Sequence, residues 1–457
     1  MLVIISDLHL TDGTTGRTIS TSAFRDFALR LRALAMDASW RSNGRYEPIP
    51  RCHILLLGDI LDQIRSSKWN NEEKGEPGYA RPWDSHASTD VINKVGIITR
   101  AVLSHNSNSL LILQRLAERG IEIPPANANG QPDPTSSEKA IVDVQIHYMV
   151  GNHDWFLNLD HPEYEALRRE VIAKMGLANP PGPFPHDPSE SPRLQEIYRS
   201  HNVFARHGDI YDSFNYNPEL GRGAATLGDA IVVDLINRFP VAIWQRMGDG
   251  IPTSFLHGLN ELANVRPSLI VPVWVDGLIR QHDLDKATSK KVKLIWDDLA
   301  DELLALPFVR DQDTWLPLDK VDFLQLTLRF AAGMTFSTAA DAVLFIRDKV
   351  WGGDSSFAKR ALAEKAFESQ EAQYIVYGHT HHPEVVPLYT TMRDNYIFDQ
   401  IYFNSGTWHP FHSMTIHHPL EKRFVHYHTM TYLAFFRYDE RRGQPFETWS
   451  GTLGVRE

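Results

Sequence analysis

Apolar runs that stop at a glycine or serine, and are followed at once by Asp, Asn or His, recur along this chain. Residues 142–150 form such a run and end at Gly151-Asn152-His153-Asp154. Glycine lets the chain turn sharply at the strand end. The turn then presents an amide, an imidazole and a carboxylate together at the edge of a sheet. The same design precedes Asp7-Leu8-His9, Gly58-Asp59-Ile60-Leu61-Asp62, His207-Gly208-Asp209 and Gly378-His379-Thr380-His381. Strand tips built this way predict a sheet whose loops converge on one site.

The stretches between them set the fold class. Residues 2–9 read as a buried strand, 21–40 as a helix capped by Thr21 or Ser22, and 52–57 as a second buried strand. Strand, helix, strand in that order predicts parallel pairing. Residues 65–90 are polar and read as a surface insertion, 91–119 have helical periodicity, 123–138 form a loop, and 161–176 read as a helix. From 212 to 369 helical patterns dominate, at 229–247, 291–306, 321–332 and 339–351. Strands return near 373–377, 397–403 and 423–436, and the polar tail 438–457 is expected to pack late or fray. The expected organisation is an α/β core, 1–212 plus 371–457, in which 63–140 is largely insertion. Residues 213–370 are expected to form a helical insertion or cap.

Composition narrows the function classes. A chain of 457 residues with 42% hydrophobic and 23% charged content can bury a sizeable core. The formal net charge of −11 argues against a general nucleic-acid surface, which needs clustered positive charge. Cys52 is the only cysteine, which excludes an internal disulfide and a thiolate metal site. With no basic-flanked leader at the start, this predicts a reducing, cytoplasmic setting. No run is long and apolar enough for a transmembrane helix. Peripheral membrane contact by the apolar stripes of 213–370 stays open.

The candidate ligands are Asp7, His9, Asp59, Asn152, His207, His379 and His381. Residues i and i+2 of an extended segment share a face, so Asp-x-His and His-x-His each aim two side chains the same way. Seven N and O donors exceed one tetrahedral site and suit two adjacent divalent ions sharing a carboxylate. Such a pair lowers the pKa of a bound water and clamps phosphate oxygens during in-line displacement. Arg206 and Arg222 are read as solvated, His409 as a rim residue, and Asp154, Asp209 and Asn404 as supporting or substrate-facing groups.

The ordered set Asp-x-His, Gly-Asp-x-x-Asp, Gly-Asn-His-Asp, His-Gly-Asp and Gly-His-x-His resembles the calcineurin-like metallophosphoesterase superfamily, over about residues 2–62, 141–212 and 373–408. The resemblance implies a four-layer αββα sandwich of two mixed sheets carrying the helical cap. It implies that Asp7, His9 and His381 hold one metal, that Asp59 bridges, and that Asn152, His207 and His379 hold the other. The ions implied are manganese first, with iron or zinc as alternatives. His153 resembles the histidine that gives a proton to the leaving group, and Asp62 its orienting partner. The implied activity is hydrolysis of a phosphodiester, pyrophosphate or phosphomonoester by a metal-bridging hydroxide.

Gln63-Ile64 and Asp154 depart from the protein Ser/Thr phosphatase pattern. Ser6–Leu10, His207-Gly208-Asp209, Gly378–His381 with Pro383, and the place of the cap are similar to the UDP-2,3-diacylglucosamine pyrophosphatase branch. That likeness implies a phosphorylated small molecule or a nucleotide-lipid as substrate. His153 stands where the best-known members of that branch have Arg, and the cap is far larger. A nuclease of the same superfamily and a non-catalytic metal-binding scaffold are the alternatives.

Overall fold

A computed structural model describes residues 1–266, 270–312, 324, 328, 357–393, 396–414 and 424–453. Strand β1 (Leu2–Ile5) leads to helix α1 (Thr21–Ala38) and strand β2 (Arg51–Leu57). β1 and β2 pair in parallel, Leu2 opposite His53 and Ile5 opposite Leu56. α1 buries Phe24, Phe27, Leu31 and Leu34 on one face. Its cap is Ser20, whose hydroxyl accepts from the Ser22 amide, rather than Thr21 or Ser22.

The helical run expected over 91–119 is two helices, α2 (Thr89–His105) and α3 (Ser107–Arg119). Asn106 divides them, and its Nδ2 donates to the carbonyls of Val102 and Thr11. Val91, Val95, Ile98, Val102, Leu110 and Leu113 enter the same core as Val3 and Ile5. Residues 65–90 were expected at the surface, yet Trp69 is fully buried and Arg81 nearly so. Arg81 stays buried because its Nε pairs with Asp234 at 2.8 Å.

The chain continues through β3 (Ile121–Ile123), β4 (Ala140–Met149), α4 (Pro162–Met175), α5 (Pro192–His201) and β5 (Val203–Ala205). After the helical region come β7 (Tyr374–Tyr377), β8 (Glu384–Arg393), β9 (Tyr396–Asn404), β10 (Phe411–Met414), β11 (Phe424–Tyr427), β12 (Thr429–Phe435) and β13 (Phe446–Thr452). β6 (Val265–Arg266) lies within the helical region. The result is a mixed α/β fold. A six-stranded sheet runs β13-β12-β1-β2-β4-β3 and a four-stranded one β5-β7-β9-β8. A small sheet, β11-β10-β6, ties the helical region to the C-terminal strands.

Strand alternation divides the core. Val3 and Ile5 face the cluster shared with α1, α2 and α3, while Leu2 and Ile4 face Leu55, Leu57, Met149, Ala205, Val376 and Phe403. That second cluster draws residues from both large sheets. The tail does not fray within the described residues. β13 pairs with β12 from Thr429–Thr452 to Phe435–Phe446, and Trp449 stacks on Tyr432 with ring centroids 5.4 Å apart.

The helical region has its own apolar cluster, drawn from α6 (Leu227–Ile231), α7 (Arg238–Met247), α8 (Thr253–Asn260), α9 (Val271–Gln281) and α10 (Lys286–Ala305), together with Leu324 and Leu328. The single helix expected over 229–247 is interrupted by a π-helical turn, Val232–Ile236. The Val233 carbonyl accepts from Asn70 Nδ2 at 2.9 Å, and Asn237 Nδ2 donates to Ile64 O at 2.9 Å. The irregular turn thus grips the loop that follows Asp62. The helices expected at 321–332 and 339–351 lie outside the described residues, apart from Leu324 and Leu328. No described helix is long and apolar enough to cross a membrane.

Candidate metal centre

Parallel strands β1, β2, β4, β5 and β7 carry Asp7 and His9, Asp59, Asn152, His207, and His379 with His381 on the loops at their C-terminal ends. The loops interlock through the backbone. Asp7 N donates to Gly58 O at 3.1 Å and His9 N to Asp59 O at 2.9 Å, and His379 N donates to the Asp7 carboxylate at 3.0 Å. The glycines are there for close approach. A Cβ on Gly151 would lie 2.3 Å from Asp59 Oδ1, and one on Gly58, where φ is +83°, would lie 2.5 Å from His207 Nδ1. Asp7, His9, Asp59, His379 and His381 themselves have φ of 52°, 43°, 54°, 67° and 64°. Non-glycine residues adopt this left-handed region only at an energetic cost, and such strain gathers at functional sites.

All seven expected ligands meet. Asp7, His9 and His381 form one group, and Asp59, His207 and His379 another, each with its donor atoms within 4.8 Å of one another. Asn152 Oδ1 joins the second, 3.1 Å from His379 Nδ1. One carboxylate oxygen faces both groups: Asp59 Oδ2 is 3.6 Å from His9 Nε2 and 3.4 Å from His207 Nε2.

Partners on the far side of the rings fix which nitrogens are free. His207 Nδ1 lies 2.9 Å from the Leu57 carbonyl, which only accepts, so Nδ1 carries the hydrogen. His9 Nδ1 lies 2.8 Å from Asp62 Oδ2 and is assigned its hydrogen on the same ground. Both Nε2 atoms then turn lone pairs inward. His9 Nε2 meets His381 Nε2 at 3.0 Å, and buried His207 Nε2 has no hydrogen-bond partner among the described residues. Inward-facing lone pairs on His9 and His207 beside the Asp59 and Asp7 carboxylates in a buried site call for a cation among them, and these donors suit a divalent metal ion.

The electrostatics agree. Burial holds His9 and His381 well below the ordinary imidazole value, which leaves them neutral. Burial also pulls His207 down, yet Asp59 and Asp7 outweigh it and raise it well above that value. Nε2 of His207 is therefore a position for positive charge, where proton and metal compete. Burial pushes Asp7 up to about 6. It acts on Asp59 too, but His207 and His153 reverse the sign and hold that carboxyl below its usual range.

His153 is paired with Asp62. Its Nδ1 lies 2.9 Å from Asp62 Oδ1, and its backbone amide donates to Asp59 Oδ1 at 2.8 Å. Burial lowers the His153 pKa, but Asp62 and Asp59 outweigh it and raise it above the ordinary value. Asp154 faces elsewhere: its carboxylate accepts from Gly151 N at 2.6 Å, Ile60 N at 2.8 Å and the Tyr148 hydroxyl at 2.7 Å. It ties the loops together, while the His153 ring is paired with Asp62 instead.

The remaining expected residues are support. Asp209 accepts from Arg222 Nη1 and lies 3.2 Å from His186 Nε2, behind His207. Asn404 donates to the Gly378 carbonyl at 2.7 Å and accepts from Gly406 N at 3.0 Å, which shapes the loop before His379. The arginines are not solvated as expected. Arg222 is buried, and Arg206 pairs with Asp187 at 2.9 Å and Glu364 at 3.1 Å.

Sequence reasoning missed Arg65, Asp212 and Asn215. Buried Arg65 places Nε 3.3 Å from Asp62 Oδ2, and its amide donates to Asp62 Oδ1 at 2.8 Å. Asp212 Oδ2 lies 3.1 Å from His379 Nε2, and Asn215 Oδ1 accepts from Asn152 Nδ2 at 3.3 Å. The signals were weak: an Asp followed three residues on by Arg, and an Asp three residues beyond His-Gly-Asp. His409 lies closer to the centre than expected, its ring 5.6 Å from that of His9.

No protein-family model matches this chain, and no curated protein matches it.

Proposed function

We propose that the chain is a dinuclear metal-dependent phosphoesterase of the calcineurin-like type, hydrolysing a phosphodiester, pyrophosphate or phosphomonoester bond. The observation that carries this reading is Asp59 Oδ2, which faces His9 Nε2 and His207 Nε2 at 3.6 and 3.4 Å and so suits a bridging carboxylate between two ions. Asp7, His9 and His381 would hold one ion, and Asn152, His207 and His379 the other, with manganese first and iron or zinc as alternatives. Bound there, the ions supply a water of lowered pKa and neutralise phosphoryl oxygens.

The chain's own residues do the rest. Asp62 holds the hydrogen of His153 Nδ1, which leaves Nε2 for the substrate. The raised pKa of His153 keeps it protonated nearer neutrality, as donation to a leaving-group oxygen requires. The face-to-face core of the two large sheets supports the four-layer sandwich as the finer description of the fold. The cap and the phosphorylated small-molecule or nucleotide-lipid substrate belong to the same proposal, as does a cytoplasmic setting.

The test is hydrolysis of bis-p-nitrophenyl phosphate and a panel of monoesters and nucleotide pyrophosphates by protein loaded with Mn²⁺. Turnover should depend on metal and vanish in Asp59→Ala. Metal binding without turnover on any class of ester would replace the enzyme reading with the scaffold.

A further inference from the structure

A cavity of about 290 Å³ opens at the other end of the sheet, lined by Pro50, Arg51, His53, Arg193, Glu196, Ile197, Ser200 and Arg437. Arg51 and His53 begin β2, whereas Asp59 follows its end. At about 3.3 Å per residue the cavity and the metal centre are roughly 25 Å apart. We propose that this cavity is a second ligand site, taking a small phosphate-type oxyanion.

The lining carries three guanidinium groups against one carboxylate, that of Glu196. Each arginine has at least one partner among the described residues. Arg51 Nε pairs with Asp143 at 2.7 Å, Arg193 with Glu196 at 2.7 Å and Gln145 at 3.0 Å, and Arg437 Nη2 with Glu440 at 3.4 Å. A guanidinium has five donors, so each keeps several free. One of these is in deficit: Nε of Arg437 is buried and has no hydrogen-bond partner among the described residues. An unsatisfied buried donor is unfavourable, and a ligand oxygen or water would relieve it.

His53 is buried, with Nδ1 3.3 Å from His147 Nε2, and His201 sits edge-on to it at a centroid distance of 6.4 Å. His201 Nδ1 lies 2.8 Å from the Ile197 carbonyl and so carries the hydrogen, which makes its buried Nε2 an acceptor and leaves the binding of an anion to the arginines. These rings do not converge as the metal-centre groups do. Arginine forks match tetrahedral oxyanions, and three around one cavity suit a dianion better than a single carboxylate.

Calorimetric titration of the full chain with inorganic phosphate, and separately with glycerol 3-phosphate, tests the site. Binding at the metal centre should survive changes at the cavity and thus serves as an internal reference. Arg437→Met should weaken the remaining component by about tenfold or more, the loss of a charge-assisted contact. Arg193→Glu, at a half-exposed helical position that leaves the core intact, should abolish it. Tighter binding of one titrant identifies free phosphate or a monoester as the natural form. Isotherms identical to wild type in both variants, or no component beyond the metal centre's own, would overturn the proposal.

Discussion

His9 and His153 are held by the same carboxylate: Asp62 Oδ2 lies 2.8 Å from His9 Nδ1, and Asp62 Oδ1 lies 2.9 Å from His153 Nδ1. The proposed ligand and the proposed acid therefore share one support, which Arg65 also contacts, its Nε 3.3 Å from Asp62 Oδ2. Asp62→Asn should disturb both at once. Groups that orient ligands typically contribute about 10–100-fold to metal affinity or activity. Mn²⁺ affinity measured by calorimetry should fall by that order, and turnover should fall further. Full metal affinity in the variant would separate Asp62 from His9.

His153→Ala should divide the two functions in the opposite sense. Proton transfer by a placed side chain is worth roughly 10²–10⁴-fold. Turnover should fall by that order on an ester with a poor leaving group, and less on a nitrophenyl ester that needs little protonation. Metal stoichiometry should stay as in wild type.

Gly151→Ala should empty the site without touching a ligand. The new methyl would stand 2.3 Å from Asp59 Oδ1 and 2.7 Å from His207 Cδ2. Neither can retreat, since Asp59 Oδ1 holds the His153 amide and His207 Nδ1 faces the Leu57 carbonyl. Metal content after purification should drop towards that of Asp59→Ala, while the circular dichroism spectrum stays near wild type.

Acid should destabilise the protein through a histidine group far from the metal centre. Burial depresses His147 to about 4, His201 to about 3 and His53 to about 2, with the neighbouring histidines, Arg193 and the buried N-terminus adding to the effect. Unfolded, each takes up a proton near 6.5; folded, each stays neutral. The unfolded state thus binds more protons below pH 6.5, and stability is lost as pH falls from there towards 4 and lower. Each histidine adds up to about 1.4 kcal/mol per pH unit in that window. Urea denaturation from pH 7.5 to 5 in phosphate-free buffer should show the slope, and His201→Leu should make it shallower.

The sequence made the site more legible than its surroundings for a physical reason. Each candidate ligand lies just past the end of a largely buried strand, and Gly58 and Gly151 are demanded by close packing, so pattern and chemistry coincide. Asp62 could be chosen over Asp154 only through the family resemblance. Neighbours at a turn diverge, but nothing local says which way, and the answer lies in the Tyr148 hydroxyl and two amides that take the Asp154 carboxylate. Arg65 and Arg81 were hidden because a polar stretch reads as surface unless its charges find buried partners across the chain. The β13 strand was hidden likewise: its residues alternate in exposure, and only pairing with β12 and the Trp449–Tyr432 stack hold it. The break in the 229–247 helix, a π turn at Val232–Ile236, contains no glycine or proline that would mark it in the sequence.

The left-handed backbone at Asp7, His9, Asp59, His379 and His381 bears on how this protein can be altered. Glycine at any of the five would relax the main chain and delete a proposed metal donor in a single substitution. A search for heat tolerance that ignores activity would be drawn to those replacements and return sturdy, silent variants. Engineering that aims to keep the centre working has to hold all five fixed and look for gains elsewhere, in the sheets and the outer helices.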